Sequence, residues 1–391
     1  MAFKLSQRGD VPPFIVMDVL REANAREAAG EDVLHLEVGQ PGSSAPEAVL
    51  QAARTAVDRG RIGYTDALGI PELRHAIAGH YQQAYGVDLD PERVAVTTGS
   101  SGGFLLSFLA AFGPGDRVAL AAPGYPAYRN ILAALDIEPV LLETDLEHRF
   151  QPTPELLESL DEPVCGLIVA SPSNPTGTML GAAELRALTD YCAARDILLI
   201  SDEIYHGLSF GERAHSALEF SDQAVIVNSF SKYFCMTGWR LGWMVLPEAA
   251  VRPVERLAQN LFISAPTISQ EAGIAAFGCK QELDRIVAGY GRSRAHLLEA
   301  LPKTGFDRLA QADGAFYVYA DVTALTDDSP GFCRRMLQEI SVATTPGVDF
   351  DPARGHRFLR FSFAGPYEEI AEATERLGDW LRGSDKSSRS A

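Results

Sequence analysis

At 391 residues, with 46% hydrophobic and 22% charged residues, the chain has the composition of a folded globular protein and the length to bury a large core in two unequal parts. A formal net charge of −18 and the absence of any long basic run exclude a non-specific nucleic-acid surface, while leaving room for a small basic pocket that takes an anion. Five widely spaced cysteines (Cys165, Cys192, Cys235, Cys279 and Cys333), none in Cys-x-x-Cys spacing, argue against a disulfide framework or a zinc site and point to a reducing cytoplasm.

The opening stretch "MAFKLSQRGDVPPF" lacks the apolar core of a signal peptide, and no segment approaches the ~20 apolar residues that span a bilayer, so neither export nor membrane insertion is expected. Residues 12–29 carry apolar positions at helical spacing, and "GEDVLHLEVGQPG" then reads as a short strand running into a Gly-Pro loop. From Pro46 to about Gly278, short apolar runs alternate with amphipathic helical stretches. The runs are Val94–Thr97, Arg117–Ala121, Pro139–Leu142, Gly166–Ala170, Leu198–Ser201, Val225–Asn228 and Leu241–Val245. They predict an α/β fold whose large domain is a mostly parallel seven-stranded sheet sandwiched by helices.

Beyond Gly278 the stretch "CKQELDRIVAGYGRSRAHLLEAL" predicts a long helix, Ala315–Ala320 and Phe358–Phe363 read as strands, and a closing helix starts at Pro366. The expected division is an N-terminal arm and part of a small domain over residues 1–45, a large domain over 46–278 and a smaller α+β domain over 279–391.

In open α/β sheets, ligands bind outside the carboxyl ends of the strands. Five polar sets follow apolar runs in this way: "VTTGSSGG", "APGYPAY", "ASPSNPTG", "SDEIY" and "NSFSK". Asp202 directly follows "ILLIS", where a buried carboxylate needs a partner; it either caps the next segment or faces a cationic heteroaromatic nitrogen. Tyr205, three residues on, can reach the same place. "TTGSSGG" precedes the helical run "FLLSFLAAF" and offers backbone N–H groups with the Ser100 and Ser101 hydroxyls, as a helix cap or a phosphate seat. Ser229, Ser231 and Arg240 would complete an anion cradle there.

In "SPSNPTG" two prolines and Gly177 force a sharp turn with Asn174 at its centre, bracing the loop or holding a ligand oxygen. Gly124 and Pro126 frame Tyr125 and fix a ring that can stack on a flat cofactor. Arg360 alternates with Leu359 and Phe361 in "RFLRFSFA", either as a solvent-facing strand charge or as a bidentate carboxylate receptor. Lys232, the only lysine between Lys4 and Lys280, follows the apolar run that begins at Ala224. A lysine amine for a Schiff base, a carboxylate for a pyridinium nitrogen, a phosphate cradle, a stacking ring and a carboxylate-binding arginine together match pyridoxal 5'-phosphate and an amino acid. No Rossmann or Walker motif competes.

From about Pro12 to Leu381 the chain resembles the pyridoxal-phosphate-dependent aminotransferases of fold type I, class I/II, the aspartate aminotransferase-like group. "YTDALGIPELRHAIAGHY", "APGYPAY", "SPSNPTG", "SDEIY" and "NSFSKYFCMTGWRLGW" stand in that family's order and spacing. The resemblance implies that Lys232 is the Schiff-base lysine and Asp202 the partner of the pyridine nitrogen. It makes Asn174 and Tyr205 the holders of the cofactor's phenolic oxygen and Tyr125 the stacking ring, with Tyr205 counted beside Lys232 and Asp202 as catalytic. Ser100, Ser101, Ser229 and Arg240 would contact the phosphate, with Ser231 as a further candidate. Tyr64 would reach the phosphate of a neighbouring subunit, implying a homodimer with shared active sites. The Gly39 backbone, Asn174 and Arg360 would hold the substrate α-carboxylate, and no metal is expected.

The implied reaction is ping-pong transamination between an L-amino acid and a 2-oxo acid, with Lys232 moving the Cα proton. The same cofactor residues would serve a C–S β-lyase or a decarboxylase, since the outcome depends on which Cα bond aligns with the π system. A cofactor-sensing regulator built on this domain would need an added basic DNA-binding domain, for which a likeness starting within the first ~15 residues leaves no room. Some aspartate-preferring relatives carry a lysine near position 101. Serine stands there in this chain, so a dicarboxylate specialist is less expected and the amino donor stays open.

Overall fold

The computed structural model describes residues 4–388. The seven apolar runs form one sheet: β1 (Val94–Thr97), β2 (Arg117–Ala122), β3 (Glu138–Glu143), β4 (Gly166–Ala170), β5 (Leu198–Asp202), β6 (Val225–Ser229) and β7 (Gly242–Val245). Their order across the sheet is β1-β7-β6-β5-β4-β2-β3, and every pairing is parallel except the two made by β7. β6 and β7 are buried at each position, which is what unbroken apolar runs signify when helices cover both sheet faces. β7 starts one residue later than the sequence predicts. Arg240 sits at φ 51°, in the left-handed region, and the chain returns to extended geometry only beyond it.

The first five α-helices are α1 (Ile15–Ala28), α2 (Glu47–Asp58), α3 (Pro71–Tyr85), α4 (Gly99–Ala111) and α5 (Pro126–Ala134). α3 and α5 each begin on a proline, whose missing N–H costs nothing in the first turn, and α3 ends on Gly86 at φ 71°. On one sheet face Leu73, Ile77 and Tyr81 of α3 pack with Phe230, Phe234 and Trp243. On the other, Phe104 and Phe108 of α4 and Tyr128 and Leu132 of α5 pack with Leu120, Ile168 and Val227. Burying each such side chain is worth roughly 1.5–3 kcal/mol, which fixes both layers against the sheet.

The C-terminal part is built from the long helix Lys280–Lys303, β8 (Tyr317–Asp321), β9 (Phe358–Ser362) and the helix Tyr367–Ser388. β8 and β9 lie at the centre of a four-stranded antiparallel sheet flanked by Thr345–Pro346 and Arg308–Leu309. Leu297, Leu301, Phe306, Val318, Phe361 and Leu377 form its core. The early strand Leu34–His35 pairs in parallel with Val342–Ala343, tying the N-terminal segment to this part. The strand read in "GEDVLHLEVGQPG" is thus present, over two residues, whereas its partner Val342–Ala343 is too short to alternate and was not read from the sequence. Among the described residues no helix is long and apolar enough to cross a membrane.

β1, β2, β4, β5 and β6 run in one direction, so the five polar sets that follow them meet along a single sheet edge.

Candidate active site

A cavity of about 440 Å³ opens at that edge. Ser100 and Ser101 on α4, Tyr125 ahead of α5, Asn174 after β4, Asp202 and Tyr205 at the end of β5, Ser231 and Lys232 after β6, and Arg240 before β7 all line it. Gly39 and Arg360 close it from the other side. Two residues singled out in the sequence do not line it. The Ser229 hydroxyl lies 2.8 Å from Ser231 Oγ and 3.0 Å from the Leu241 carbonyl, one hydrogen bond behind the wall. Tyr64 is 82% exposed and stands outside the cavity.

At one end, α4 begins without a side-chain cap on its first N–H groups, which are left to bind an anion. The Arg240 guanidinium packs over Gly99 so closely that a Cβ there would stand 2.6 Å from Nη2, and Gly99 also sits at φ 73°. Glycine is therefore required twice over, by conformation and by the close approach of a cation.

In the centre, Lys232 Nζ donates to the Gly39 carbonyl at 2.5 Å. Gly39 is itself held by contact, since a Cβ on it would fall 1.9 Å from the Tyr317 hydroxyl. Burial, with Arg360 and Arg240 nearby, outweighs the attraction of Asp202 and pulls the Lys232 ammonium down to about 8. Asp202 is 4% exposed. Its Oδ1 accepts from the Ile204 N–H at 3.1 Å and its Oδ2 accepts from the Tyr128 hydroxyl. Burial raises its pKa to about 6 in spite of these donors and of Lys232. Burial likewise pushes the Tyr125 phenol up to about 12.

At the far end Arg360 is 1% exposed, so it is not a solvent-facing strand charge. Nη1 donates to Asn174 Oδ1 at 2.8 Å, and Nη2 donates to the Glu37 carbonyl and to Thr345 Oγ1. Nε is buried without a partner, an N–H that a bound anionic oxygen would satisfy. The guanidinium carbon lies 4.3 Å from the Tyr317 ring centre, and the Tyr317 and Tyr205 hydroxyls are 2.7 Å apart.

These groups fit the expected pyridoxal phosphate. A buried carboxylate suits its pyridine nitrogen, the uncapped helix start and Arg240 suit its phosphate, and a lysine amine of lowered pKa suits its aldehyde.

The sequence reading missed Tyr128, Tyr317, Thr237 and an apolar wall of Phe14, Val16, Met17, Leu20 and Val38, all of which line the cavity. Tyr128 stands three residues after Tyr125, one helical turn away on α5, so the same turn presents both rings. Tyr317 lies on β8 beside β9, where Tyr319 pairs with Arg360; the alternation in "FYVYA" puts Tyr317 on the same face.

The family model for class I and II aminotransferases matches residues 31–377. A valine–pyruvate aminotransferase from Mycobacterium tuberculosis is 50% identical over 97% of this chain and 99% of its own length. A crystal structure of an aminotransferase from the same organism superposes with a TM-score of 0.96 at 49% identity, covering 98% of this chain and all of that one. The aspartate aminotransferase from Thermus thermophilus with maleate gives a TM-score of 0.91 at 31% identity, over 97% of this chain and all of that one.

Proposed function

The chain belongs to the class I and II aminotransferases, which use pyridoxal 5'-phosphate to move an amino group between an amino acid and a 2-oxo acid, and on that premise we propose that its donor is a neutral aliphatic amino acid of the valine kind and its acceptor a small oxo acid of the pyruvate kind. The observation that carries this reading is the wall formed by Phe14 and Val38 with Val16, Met17 and Leu20 of α1. The only cations among the described lining residues are Lys232, Arg240 and Arg360. Each has a task in the reading below, so a second substrate carboxylate would be buried without a partner. The valine–pyruvate relative supports the same choice.

Bound pyridoxal phosphate supplies an electron sink that acidifies the substrate Cα–H bond. The remaining work falls to the chain. Arg360, with its free Nε–H and the Asn174 amide beside it, receives the α-carboxylate and aims Cα at Lys232. Lys232 Nζ would take and carry the Cα proton, and in the cofactor-free chain its pKa, lowered to about 8, leaves a neutral fraction at neutral pH. Asp202, buried and steadied by Tyr128, keeps the pyridine nitrogen protonated. Ser100, Ser101, Ser231 and Arg240 hold the phosphate, with Ser229 orienting Ser231, and the Tyr205–Tyr317 hydroxyl pair serves the phenolic oxygen. Tyr125 stacks on the ring, and α1 shields the reacting atoms from water. After the first oxo acid leaves, the same groups act in reverse on the second.

The shared-site homodimer and a cytoplasmic setting belong to this proposal as well. Tyr64 shares an exposed neighbourhood with Ile62, Leu261 and Ile263, because the 61–65 segment bonds to Ser264 and Thr267. A patch of this kind suits burial against a second copy that carries Tyr64 to the other site. Sedimentation equilibrium giving the mass of one chain would remove the dimer. All five thiols are free, in keeping with a reducing compartment.

The test of the donor is a pair of half-reactions without oxo acid. L-valine is expected to react with the holoenzyme at a kcat/KM at least about 100-fold above that of L-aspartate. Equal or faster reaction of L-aspartate would sink the assignment.

A further inference from the structure

A second cavity, of about 590 Å³, shares no lining residue with the first. His80 projects into it from α3, between the rings of Tyr85, Phe234, Trp243 and Phe277, with ring centres 5.4–6.4 Å away. Among the described residues neither nitrogen of the His80 ring has a hydrogen-bond partner, and the ring is partly open to the cavity, so both nitrogens can be reached by a ligand. Burial pulls the imidazole down to about 4, so at neutral pH it is uncharged and offers one donor and one acceptor.

The charges at the rim are already paired. Lys280 holds Asp284 at 2.6 Å, Tyr233 donates to the same carboxylate at 2.8 Å, and Arg213 holds Glu219 at 2.7 Å. No free charge is left to recognise an ionic ligand.

Gly79 supplies an independent observation. It lies in the interior of α3, where glycine costs about 1 kcal/mol relative to alanine. Its φ is not positive, and a Cβ on it would meet nothing within 4 Å. Neither conformation nor crowding requires a glycine here. Its effect is to leave the wall of the cavity open.

We propose that this cavity binds a small, uncharged, planar aromatic molecule with an N–H or O–H donor, of the indole or phenol kind, and that its occupancy alters amino transfer. The aromatic walls take the faces and edges of a ring, and the unpaired imidazole takes the donor. The coupling has a short route. Tyr233 and Phe234 line this cavity and directly follow Lys232, His206 directly follows Tyr205, and Asn228 directly precedes Ser229. An occupant therefore touches two of the chain segments that carry active-site side chains, 205–206 and 228–234.

The test uses indole as the probe and the holoenzyme in its native oligomeric state. Calorimetry is expected to show saturable indole binding that valine does not compete away, with kcat/KM for valine shifted at least about threefold at saturation. Gly79→Leu, which projects an apolar side chain from α3 into the cavity beside His80 while improving helix propensity, should keep the basal rate and lose both effects. His80→Phe, which keeps a ring but removes the hydrogen bond, should weaken binding about tenfold. Four results would each overturn the proposal: no binding by the wild type, competition with valine, binding that survives Gly79→Leu, or binding that leaves the rate unchanged.

Discussion

Lys232→Ala is expected to lower kcat for amino transfer by at least about 10⁴-fold, because on the proposed reading one substitution removes both the covalent attachment of the cofactor and the proton carrier, and a positioned acid–base group alone contributes 10²–10⁴. No other side chain can substitute. Among the described residues no other lysine lines the cavity. The phosphate seat and Asp202 are untouched, so the variant should still fold and retain the cofactor weakly. Single-turnover reaction with L-valine reads the chemical step directly, and a variant within tenfold of the wild-type rate would rule out Lys232 as its carrier.

The same substitution has a stability signature whose sign follows from the lowered pKa. In the folded, cofactor-free protein Lys232 titrates near 8, and in the unfolded chain near its ordinary value of 10.5. Between those values the unfolded state holds more protons, so stability rises with pH across the window, and the cost of the buried charge is fully present below about 8. Lys232→Ala should remove that rise from urea midpoints taken between pH 7.5 and 10.

Much of this was legible from five short polar sets. Each directly follows an apolar run, and parallel strands leave a chain no choice but to gather such ends along one edge. Lys232, Asp202, Asn174, Tyr125 and the two serines at 100 and 101 could therefore be read one after another from order alone. Arg360 was ambiguous, because alternation on β9 says that it opposes Leu359 and Phe361 but not which face meets the cavity; only the packing of β9 between β8 and Thr345–Pro346 decides that.

What stayed hidden shares one property: it depends on contacts between segments far apart in the chain. Tyr128 matters because its hydroxyl reaches Asp202, 74 positions on, and nothing in "PGYPAY" announces a carboxylate partner. The wall from α1 reads in the sequence as one apolar helix face among many, and its meeting with the cavity depends on Asp349, which accepts hydrogen bonds from the Ile15 and Val16 N–H groups. Ser229 and Ser231 are a further case. They are indistinguishable by spacing, and it is the Leu241 carbonyl that draws Ser229 back and leaves Ser231 at the wall.

Asp202→Asn is expected to uncouple stability from catalysis. The amide keeps the shape of the carboxylate but cannot hold a proton on the pyridine nitrogen, and loss of one fixed electrostatic partner of a developing charge lowers kcat by roughly 10²–10³-fold. In the cofactor-free protein the effect on stability runs the other way. Burial raises the Asp202 pKa to about 6 against an ordinary value of 3.8, so between those values the folded state binds more protons than the unfolded one. Stability falls as pH rises through that window, and the full cost stands above about 6. An asparagine carries no charge to bury, so at pH 7 the cofactor-free variant should be more stable than the wild type by about 1–3 kcal/mol, with no advantage below pH 4. Tyr128→Phe separates the two contributions: it deletes one donor to the carboxylate, so it should raise the Asp202 pKa further and slow turnover less than Asp202→Asn does. Urea unfolding at pH 4 and pH 7, beside kcat for valine and pyruvate, reads all three proteins. A cofactor-free Asp202→Asn protein less stable than the wild type at pH 7 would mean that the carboxylate is held by its neighbours more tightly than its burial penalises it, and that its place at the end of β5 serves the fold as much as the reaction.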